Sequence, residues 1–254
     1  MRVLILIAHG NFDARSNSHK LAFAAEDSLK KGGHEVRVVD LCKAGFNMTA
    51  SIDDCIKVEN KEGKKFNYQI SAANPENLRP NVHEQQENIK WCTHVIVCAP
   101  IWYHSLPSCF YAYYERVFTR GFSYDSTHAL GTGFFKDKKV MICVTAGGPE
   151  IYYTRASHFP IEATLYPVHV GHFYYNGFQI MRSQLFSGLT QKDEKDEDSF
   201  IDVSEEDIEK WKKTVLNIDK RPLLPIQPRG HAESDIEVFA KIPNYSLDEA
   251  INQK

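Results

Sequence analysis

The chain has 254 residues, 43% of them apolar and 25% charged, which is the composition of an ordinary globular protein. A formal net charge of -3 gives no broad positive surface for a nucleic-acid backbone, so we expect no nucleic-acid partner. No apolar run approaches the roughly 20 residues of a membrane helix, and the cysteines are not closely grouped, so we expect no membrane span and a reducing, cytoplasmic compartment.

Strand and helix patterns alternate from the amino terminus onward. A continuous apolar run over residues 3–8 predicts a strand buried on both faces, and this run is too short for a signal peptide. Residues 16–31 place apolar side chains at helical spacing before Gly32 and Gly33, and residues 34–41 alternate like a second strand. Strand, helix and strand in this order predict a right-handed βαβ crossover.

The region that follows is the least regular part of the sequence. Residues 57–80 read as loop, and we expect a long irregular insertion over residues 43–91, a length of loop that usually has a function. Beyond it, residues 93–100 and 138–148 predict two further strands, with a helix over residues 107–118 between them.

The carboxyl-terminal part begins with a weaker fifth strand over residues 176–186. An acidic stretch over residues 191–207 predicts a solvated loop, and Ser204 with Asp207 predicts a capped helix start. The proline-punctuated tail from residue 220 predicts an extended surface segment.

These elements predict one fold class. We expect a doubly wound α/β domain over residues 1–218, in which a parallel sheet carries helices on both faces. Residues 219–254 are expected to form an extension that packs on the surface or on a partner chain.

Three predicted strand ends carry candidate chemistry, because ligands of open parallel sheets bind beyond the carboxyl ends of the strands. The first end leads into a helix amino terminus, where backbone N–H groups and the helix dipole favour an anion. Its candidate residues are His9, Arg15, Ser16, Asn17 and Ser18. The Walker lysine and G-x-G-x-x-G are both absent, which argues against the usual nucleotide loops. A simple N-cap role for Ser16 is the alternative.

The other two ends offer rings, glycines and proton donors. The second end, "PIWYHSLP", suits stacking on a flat conjugated ligand, although Trp102 and Tyr103 could equally close the core. The third end has two glycines, where a backbone can approach a ligand without Cβ interference, or which simply form a turn. Groups able to donate protons follow it, namely Tyr152, Tyr153 and His158. Together the three ends indicate a flavin, whose own phosphate lies at the first end.

The sequence resembles the flavodoxin-like quinone reductases of the DT-diaphorase family over about residues 2–218. The resemblance is carried, in order, by "LILIAH", "PIWYHSLP", "YERVF", "GFSY", "TAGG", "YP" before a glycine turn, and "GFQ". It implies a homodimer with shared active sites that binds FAD in preference to FMN. It also implies ping-pong, two-electron reduction of quinones by NADH or NADPH through flavin N5. The long irregular region is compatible with a segment that covers the flavin or contacts a partner chain.

The resemblance implies roles for individual residues. The phosphate-side contacts are His9, Ser16, Asn17 and Ser18, the flavin-ring segment is Pro100, Ile101, Trp102, Tyr103 and His104, and the flavin edge is Thr145, Ala146, Gly147 and Gly148. Gly147 and Gly148, with Tyr153 and His158, stabilise the reduced flavin, and Tyr152 is the alternative to Tyr153. The quinone contacts are His158, Tyr124 and Tyr175, the tyrosines coming from the partner chain, with Ser126 in place of a second pocket tyrosine. His169 and His172 are offset from the histidines of a metal-carrying branch, so we expect no metal site.

Three other functions are compatible with parts of this pattern. An azoreductase or nitroreductase of the same superfamily would use the same flavin site. A one-electron carrier is a poor match, since such proteins are small and strongly acidic. A regulatory flavoprotein would use its flavin as a sensor for a transporter or transcription partner.

Overall fold

A twisted parallel sheet forms the centre of the molecule. The structure is a computed structural model that describes residues 1–10, 15–57, 65–157, 159–193, 195–196, 199–226 and 235–252. Its strands are β1 (Arg2–Ile7), β2 (Glu35–Asp40), β3 (His94–Pro100), β4 (Lys139–Thr145), β5 (Gln179–Ile180) and β6 (Gln184–Phe186). The order across the sheet is β2-β1-β3-β4-β5, and β6 also pairs with β4. The pairs between these strands are all parallel.

Helices connect and cover the strands. The α-helices are α1 (Asn17–Lys31), α2 (Tyr68–Ser71), α3 (Pro80–Trp91), α4 (Ser108–Val117), α5 (Ile161–Thr164), α6 (Glu205–Leu216), α7 (Asp235–Lys241) and α8 (Leu247–Ile251). A π-helical segment spans Pro167–Phe173, and short 3-10 turns lie at Ile52–Asp54, Pro75–Asn77, Glu150–Tyr153, Tyr174–Asn176 and Ile218–Lys220. Among all the described residues, no helix has the length and apolar character needed to cross a membrane.

The sheet is buried on both faces, as the continuous apolar strand runs predict. Successive strand residues point to opposite faces, so Leu4 and Leu6 join one core while Val3 and Ile5 join the other. The second core lies under α1 and α6, where the Trp211 indole N–H donates to the carbonyl of Leu21 at 2.8 Å. Two cores on opposite faces of one parallel sheet confirm the doubly wound, flavodoxin-like fold class.

The predicted irregular insertion over residues 43–91 is wrong in its last part, because Pro80–Trp91 is the helix α3. Proline at its first turn needs no N–H partner, which makes Pro80 a favourable start. Its buried face includes polar residues that weaken the apolar periodicity. Gln86, for example, is buried and donates to the carbonyl of Val117 and to Thr119 Oγ1, both at 3.1 Å.

Two predictions for the carboxyl-terminal part also need correction. The single fifth strand is two short strands, because the chain leaves β4 between them and the Arg182 N–H donates to the carbonyl of Pro222. The tail is not simply extended, since it contains α7 and α8. Phe239 of α7 is fully buried, and its ring meets the ring of Tyr166 at 5.7 Å.

Candidate functional site

A cavity of about 700 Å³ lies beyond the carboxyl ends of β1, β3 and β4. Its volume is in the range of sites for cofactors and other small molecules. It is lined by residues of all three predicted strand ends and of a later segment: His9, Arg15, Ser16, Asn17, Lys20, Pro100, Ile101, Trp102, Thr145, Ala146, Gly147, Leu189, Thr190, Gln191, Phe200 and Asp202. The sheet therefore brings together the three ends that the sequence predicts.

The amino terminus of α1 forms one polar end of this cavity. Ser16 is the N-cap, and its Oγ accepts a hydrogen bond from the His19 N–H at 3.3 Å. The N–H groups of Asn17 and Ser18 make no hydrogen bond within the described residues. Unpaired amides at the positive end of a 15-residue helix favour an anion, so the helix end that Ser16 caps is a candidate anion site.

The side chains of Asn17 and Ser18 build this end rather than face the cavity freely. Asn17 Nδ2 donates to the carbonyl of Ile201 at 2.9 Å, and its Oδ1 accepts from the Val203 N–H at 3.0 Å. Ser18 is buried, and its Oγ lies 3.1 Å from Thr145 Oγ1 at the end of β4. Asn17 thus holds a distant segment against α1, and Ser18 joins α1 to the sheet.

His9 extends from the end of β1 into the cavity. Its ring packs edge-on against Trp102, with ring centroids 5.4 Å apart. Burial, followed by the nearby His19, lowers the pKa of His9 from 6.5 to about 4, although Asp40 acts in the opposite direction. His9 is therefore neutral at physiological pH, and the positive groups lining the cavity are Arg15 and Lys20, the latter paired with Asp202 at 2.5 Å.

The second strand end forms a tight turn. The N–H and carbonyl groups of Trp102 and Ser105 bond each other at 3.0 Å, while Tyr103 and His104 have φ angles of 50° and 58°. Positive φ at both central positions defines a type I′ turn, which strongly favours Asn and Gly. Pro100, Ile101 and Trp102 line the cavity, but Tyr103 is fully exposed and His104 stacks on Phe159 at 3.5 Å.

The third strand end forms the other polar end of the cavity. Thr145, Ala146 and Gly147 line it, and the N–H groups of Gly147 and Gly148 make no hydrogen bond in the part of the chain that the structure describes. A Cβ added to Gly148 would lie 3.1 Å from Tyr152 Cδ2 and 3.4 Å from the Tyr153 hydroxyl. The lack of a side chain at Gly148 therefore lets Tyr153 approach the backbone.

The two candidate tyrosines of this end differ in burial. Tyr153 is 7% exposed and Tyr152 is 57% exposed. Burial raises the pKa of Tyr153, so its phenol keeps its proton at neutral pH. Burial beside Gly148 distinguishes Tyr153 from the exposed Tyr152, and His158 lies outside the described residues.

Three of the predicted substrate residues, Tyr124, Ser126 and Tyr175, lie apart from the cavity lining. Tyr124 and Tyr175 pack edge-on with ring centroids 5.1 Å apart, and burial followed by Tyr175 raises the pKa of Tyr124. Ser126 is exposed. None of these three residues belongs to the described lining of the cavity in its own chain.

Several lining residues escape prediction from the sequence. Lys20 lies four residues after the cap, a helical spacing that could have identified it. Gln191, Phe200 and Asp202 come from the segment read as a solvated loop, and Leu189 and Thr190 directly precede that segment. The signal that places this segment, the Asn17 amide bonded to residues 201 and 203, is a tertiary contact.

The two histidines after "YP", His169 and His172, make contacts within the fold. His169 Nε2 lies 3.0 Å from the buried carboxylate of Glu162, and His172 Nδ1 lies 2.8 Å from the carbonyl of Pro167. No group of three or more potential metal ligands occurs among the described residues. The absence of a metal site stays a prediction.

Comparisons with known proteins agree with this architecture. The sequence model of the flavodoxin-like fold family matches residues 1–212. NAD(P)H dehydrogenase (quinone) 1 of Cavia porcellus is 30% identical over 227 residues, which cover 87% of this chain and 79% of that protein. Ribosyldihydronicotinamide dehydrogenase (quinone) of Mus musculus is 27% identical over 199 residues, covering 77% of this chain and 85% of that protein. A Klebsiella pneumoniae structure described as a quinone reductase has a TM-score of 0.76 at 25% identity, over 91% of this chain and 90% of that one.

The fold and the cavity at its carboxyl edge, together with these matches, define a flavodoxin-like oxidoreductase. The chain belongs to the flavodoxin-like NAD(P)H:quinone oxidoreductase family.

Proposed function

We propose that the protein binds FAD in this cavity and reduces quinones by two electrons at the expense of NADH or NADPH. The observation that carries the proposal is a single cavity with unpaired backbone amides at both polar ends and an aromatic wall between them. The names of the curated relatives support a quinone as the acceptor. A bound flavin would supply the redox chemistry, accepting a hydride from the nicotinamide nucleotide and passing it to the quinone.

The α1 end of the cavity suits the phosphate of a flavin nucleotide. The amides of Asn17 and Ser18 point from a helix amino terminus, and the cations Arg15 and Lys20 line the same end, with Lys20 paired to Asp202. The neutral His9 packs against Trp102 and helps to shape this wall without adding charge.

The Gly147 end suits the polar edge of a flavin ring. A bound flavin that had accepted a hydride would carry negative charge near N1 and O2 of its ring, and fixed donors would stabilise that charge. The amides of Gly147 and Gly148 and the protonated phenol of Tyr153 can supply these donors. Trp102 provides an aromatic surface between the two ends.

The lining beyond the phosphate end supports FAD rather than FMN. Asn17 holds residues 201 and 203 against α1, which brings Phe200 and Asp202 into the lining with Thr190 and Gln191. An exposed phenylalanine with polar neighbours suits a second, nucleobase-bearing half of the cofactor. FMN has no such half.

The position of Tyr124 and Tyr175 supports a homodimer with shared sites. Their aromatic pair does not contribute to the cavity of its own chain, as expected if it lines the quinone pocket of a partner. In this arrangement the nicotinamide and the quinone occupy the same space in turn, which gives ping-pong kinetics.

The test begins with the purified protein. Its cofactor is released by heating and identified by chromatography, and its activity is measured with NADH and NADPH against menadione and an azo dye. We expect FAD, quinone reduction that exceeds azo reduction, and parallel double-reciprocal lines. FMN as the bound cofactor, preferential azo reduction, or negligible turnover of menadione would contradict the proposal.

A further inference from the structure

A chain of three polar side chains connects the phosphate end of the cavity to the neighbouring strand. Ser16 Oγ lies 2.8 Å from His19 Nδ1 in the first turn of α1. His19 Nε2 lies 3.5 Å from Asp40 Oδ2 at the end of β2. Ser16 lines the cavity, whereas His19 is only 1% exposed.

Because His19 is buried, both of its ring nitrogens need polar partners within the protein. A buried polar group without a partner is costly, and among the described residues Ser16 faces Nδ1 of His19 and Asp40 faces Nε2. The 3.5 Å separation from Asp40 is within the range of an ion pair, but Nε2 makes no aligned hydrogen bond. The side chain of Asp40 is 15% exposed and is held by the Cys42 N–H at 3.1 Å.

The protons on His19 decide what Ser16 offers to the cavity. If Nδ1 carries no proton, the Ser16 hydroxyl donates to it, and one Ser16 lone pair accepts from the His19 N–H. Only the other lone pair then faces the cavity, and it repels an anion. If Nδ1 carries a proton, it donates to Ser16 Oγ, and the hydroxyl proton is available to an anion in the cavity.

The carboxylate of Asp40 favours the other neutral tautomer of His19. It favours a proton on Nε2, which faces it. A neutral imidazole has one proton and can satisfy the anion or Asp40, but not both. The imidazolium donates to Ser16 Oγ on one side and pairs electrostatically with the Asp40 carboxylate on the other.

We infer that His19 is a positioning residue which turns the Ser16 hydroxyl toward the phosphate of the cofactor, and that phosphate binding is coupled to uptake of a proton by His19. This inference rests on the proposed function, because it takes the anion to be the phosphate of a flavin nucleotide.

His9 and Lys43 are ionisable residues that lie close to His19 and Asp40. The His9 ring lies 5.8 Å from the His19 ring at the end of β1. Lys43 lies 3.3 Å from the same oxygen of Asp40 that faces His19. Protonated His19 and Lys43 can share the Asp40 carboxylate, while His9 is kept neutral by burial and by His19.

The first experiment compares FMN with riboflavin, which has the same ring and no phosphate. Affinities for flavin-free full-length protein are measured by fluorescence for the wild type, His19→Phe, Ser16→Gly and the double variant. Glycine at Ser16 preserves most of the capping energy. We expect each single variant to weaken FMN about tenfold, as for one hydrogen bond to a charged group, and to leave riboflavin nearly unchanged.

The double variant separates positioning from structural damage. If His19 acts through Ser16, removing both costs no more FMN affinity than removing Ser16 alone. Additive losses, or equal weakening of riboflavin and FMN, would overturn the inference and leave the proposed function standing. A wild-type protein that binds neither FMN nor FAD would overturn both.

The second experiment measures the proton directly. FMN binding is followed by calorimetry in two buffers of different ionisation enthalpy at about pH 8, where a phosphate monoester with a second pKa of about 6 is already a dianion. We expect proton uptake by the wild type and by the control His83→Gln, whose histidine is exposed, and none by His19→Asn. Uptake that persists in His19→Asn, or its absence in the wild type, would contradict the inference.

Discussion

The neighbouring tyrosines Tyr152 and Tyr153 allow a test of single-residue chemistry. Tyr153 is buried beside Gly148, and burial raises the pKa of its phenol. Tyr153→Phe should slow reduction of the bound flavin by about a hundredfold, because one donor to the developing charge is lost. Stopped-flow absorbance with NADPH measures this rate.

Tyr152→Phe is the matched control, since it removes the same atom from an exposed side chain. We expect the control to reduce its flavin at the wild-type rate, and both variants to keep their flavin content. A normal rate in Tyr153→Phe would remove Tyr153 from the proposed mechanism.

His9 predicts a dependence of stability on pH. Its pKa is lowered from 6.5 to about 4, mainly by burial and then by His19, so the unfolded chain binds a proton more readily than the folded one. The contribution of His9 to stability is complete above pH 6.5 and is lost as the pH falls from 6.5 toward 4. Urea unfolding of the flavin-free protein at about pH 7 and about pH 5 tests this dependence.

The comparison is between the wild type and His9→Asn, which has no titrating group at this position. The wild type should lose more unfolding free energy between the two pH values than the variant does. Equal losses would show that the His9 proton is not excluded by folding.

The strained turn from Trp102 to Ser105 lowers the stability of the protein, and we expect this cost to serve its function. Tyr103 has a φ of 50° and is fully exposed, so glycine at this position would relieve backbone strain without losing packing. Left-handed backbone costs an ordinary residue about 1–2 kcal/mol, and glycine's flexibility in the unfolded chain offsets part of this. We expect Tyr103→Gly to raise the free energy of unfolding by up to about 1 kcal/mol, measured by urea denaturation.

Tyr152→Gly is the control, because it removes the same exposed ring from a residue whose φ is not positive. It should destabilise the protein by about 1 kcal/mol. Tyr103→Gly should also lower kcat/KM for menadione if the turn exists to present the ring to substrate. A destabilised Tyr103→Gly would contradict the strain argument.

Elements with continuous apolar strands or strong caps were predictable from the sequence. β1, β3 and β4 follow from apolar runs, and α1 follows from its apolar spacing after Ser16. α3 was not predictable, because buried glutamines such as Gln86 look like surface residues in the sequence. Their partners on α4 and the following turn are fixed only by the tertiary structure.

The same distinction applies to the candidate site. Three strand ends could be recognised from the apolar runs that precede them. The inner part of the site then follows from the rule that ligands lie beyond the carboxyl ends of parallel strands. The outer part, with Phe200 and Asp202, depends on the two hydrogen bonds of Asn17. Such bonds between residues that are nearly 190 positions apart leave no local pattern.

At the scale of the whole molecule, the two faces of the sheet form the cores and its carboxyl edge forms the candidate site. Two apolar cores hold the strands rigid, while the carboxyl edge carries the polar groups that the cores exclude. The central claim is that this edge binds a flavin, with its phosphate at α1 and its ring edge at Gly147 and Gly148.

The absorption spectrum of the purified protein under anaerobic conditions tests this claim most directly. We predict a yellow flavin band that disappears on addition of NADH or NADPH and returns when a stoichiometric amount of menadione is added. A colourless protein that takes up neither FAD nor FMN, or a flavin band that both nicotinamide nucleotides leave unchanged, would contradict it.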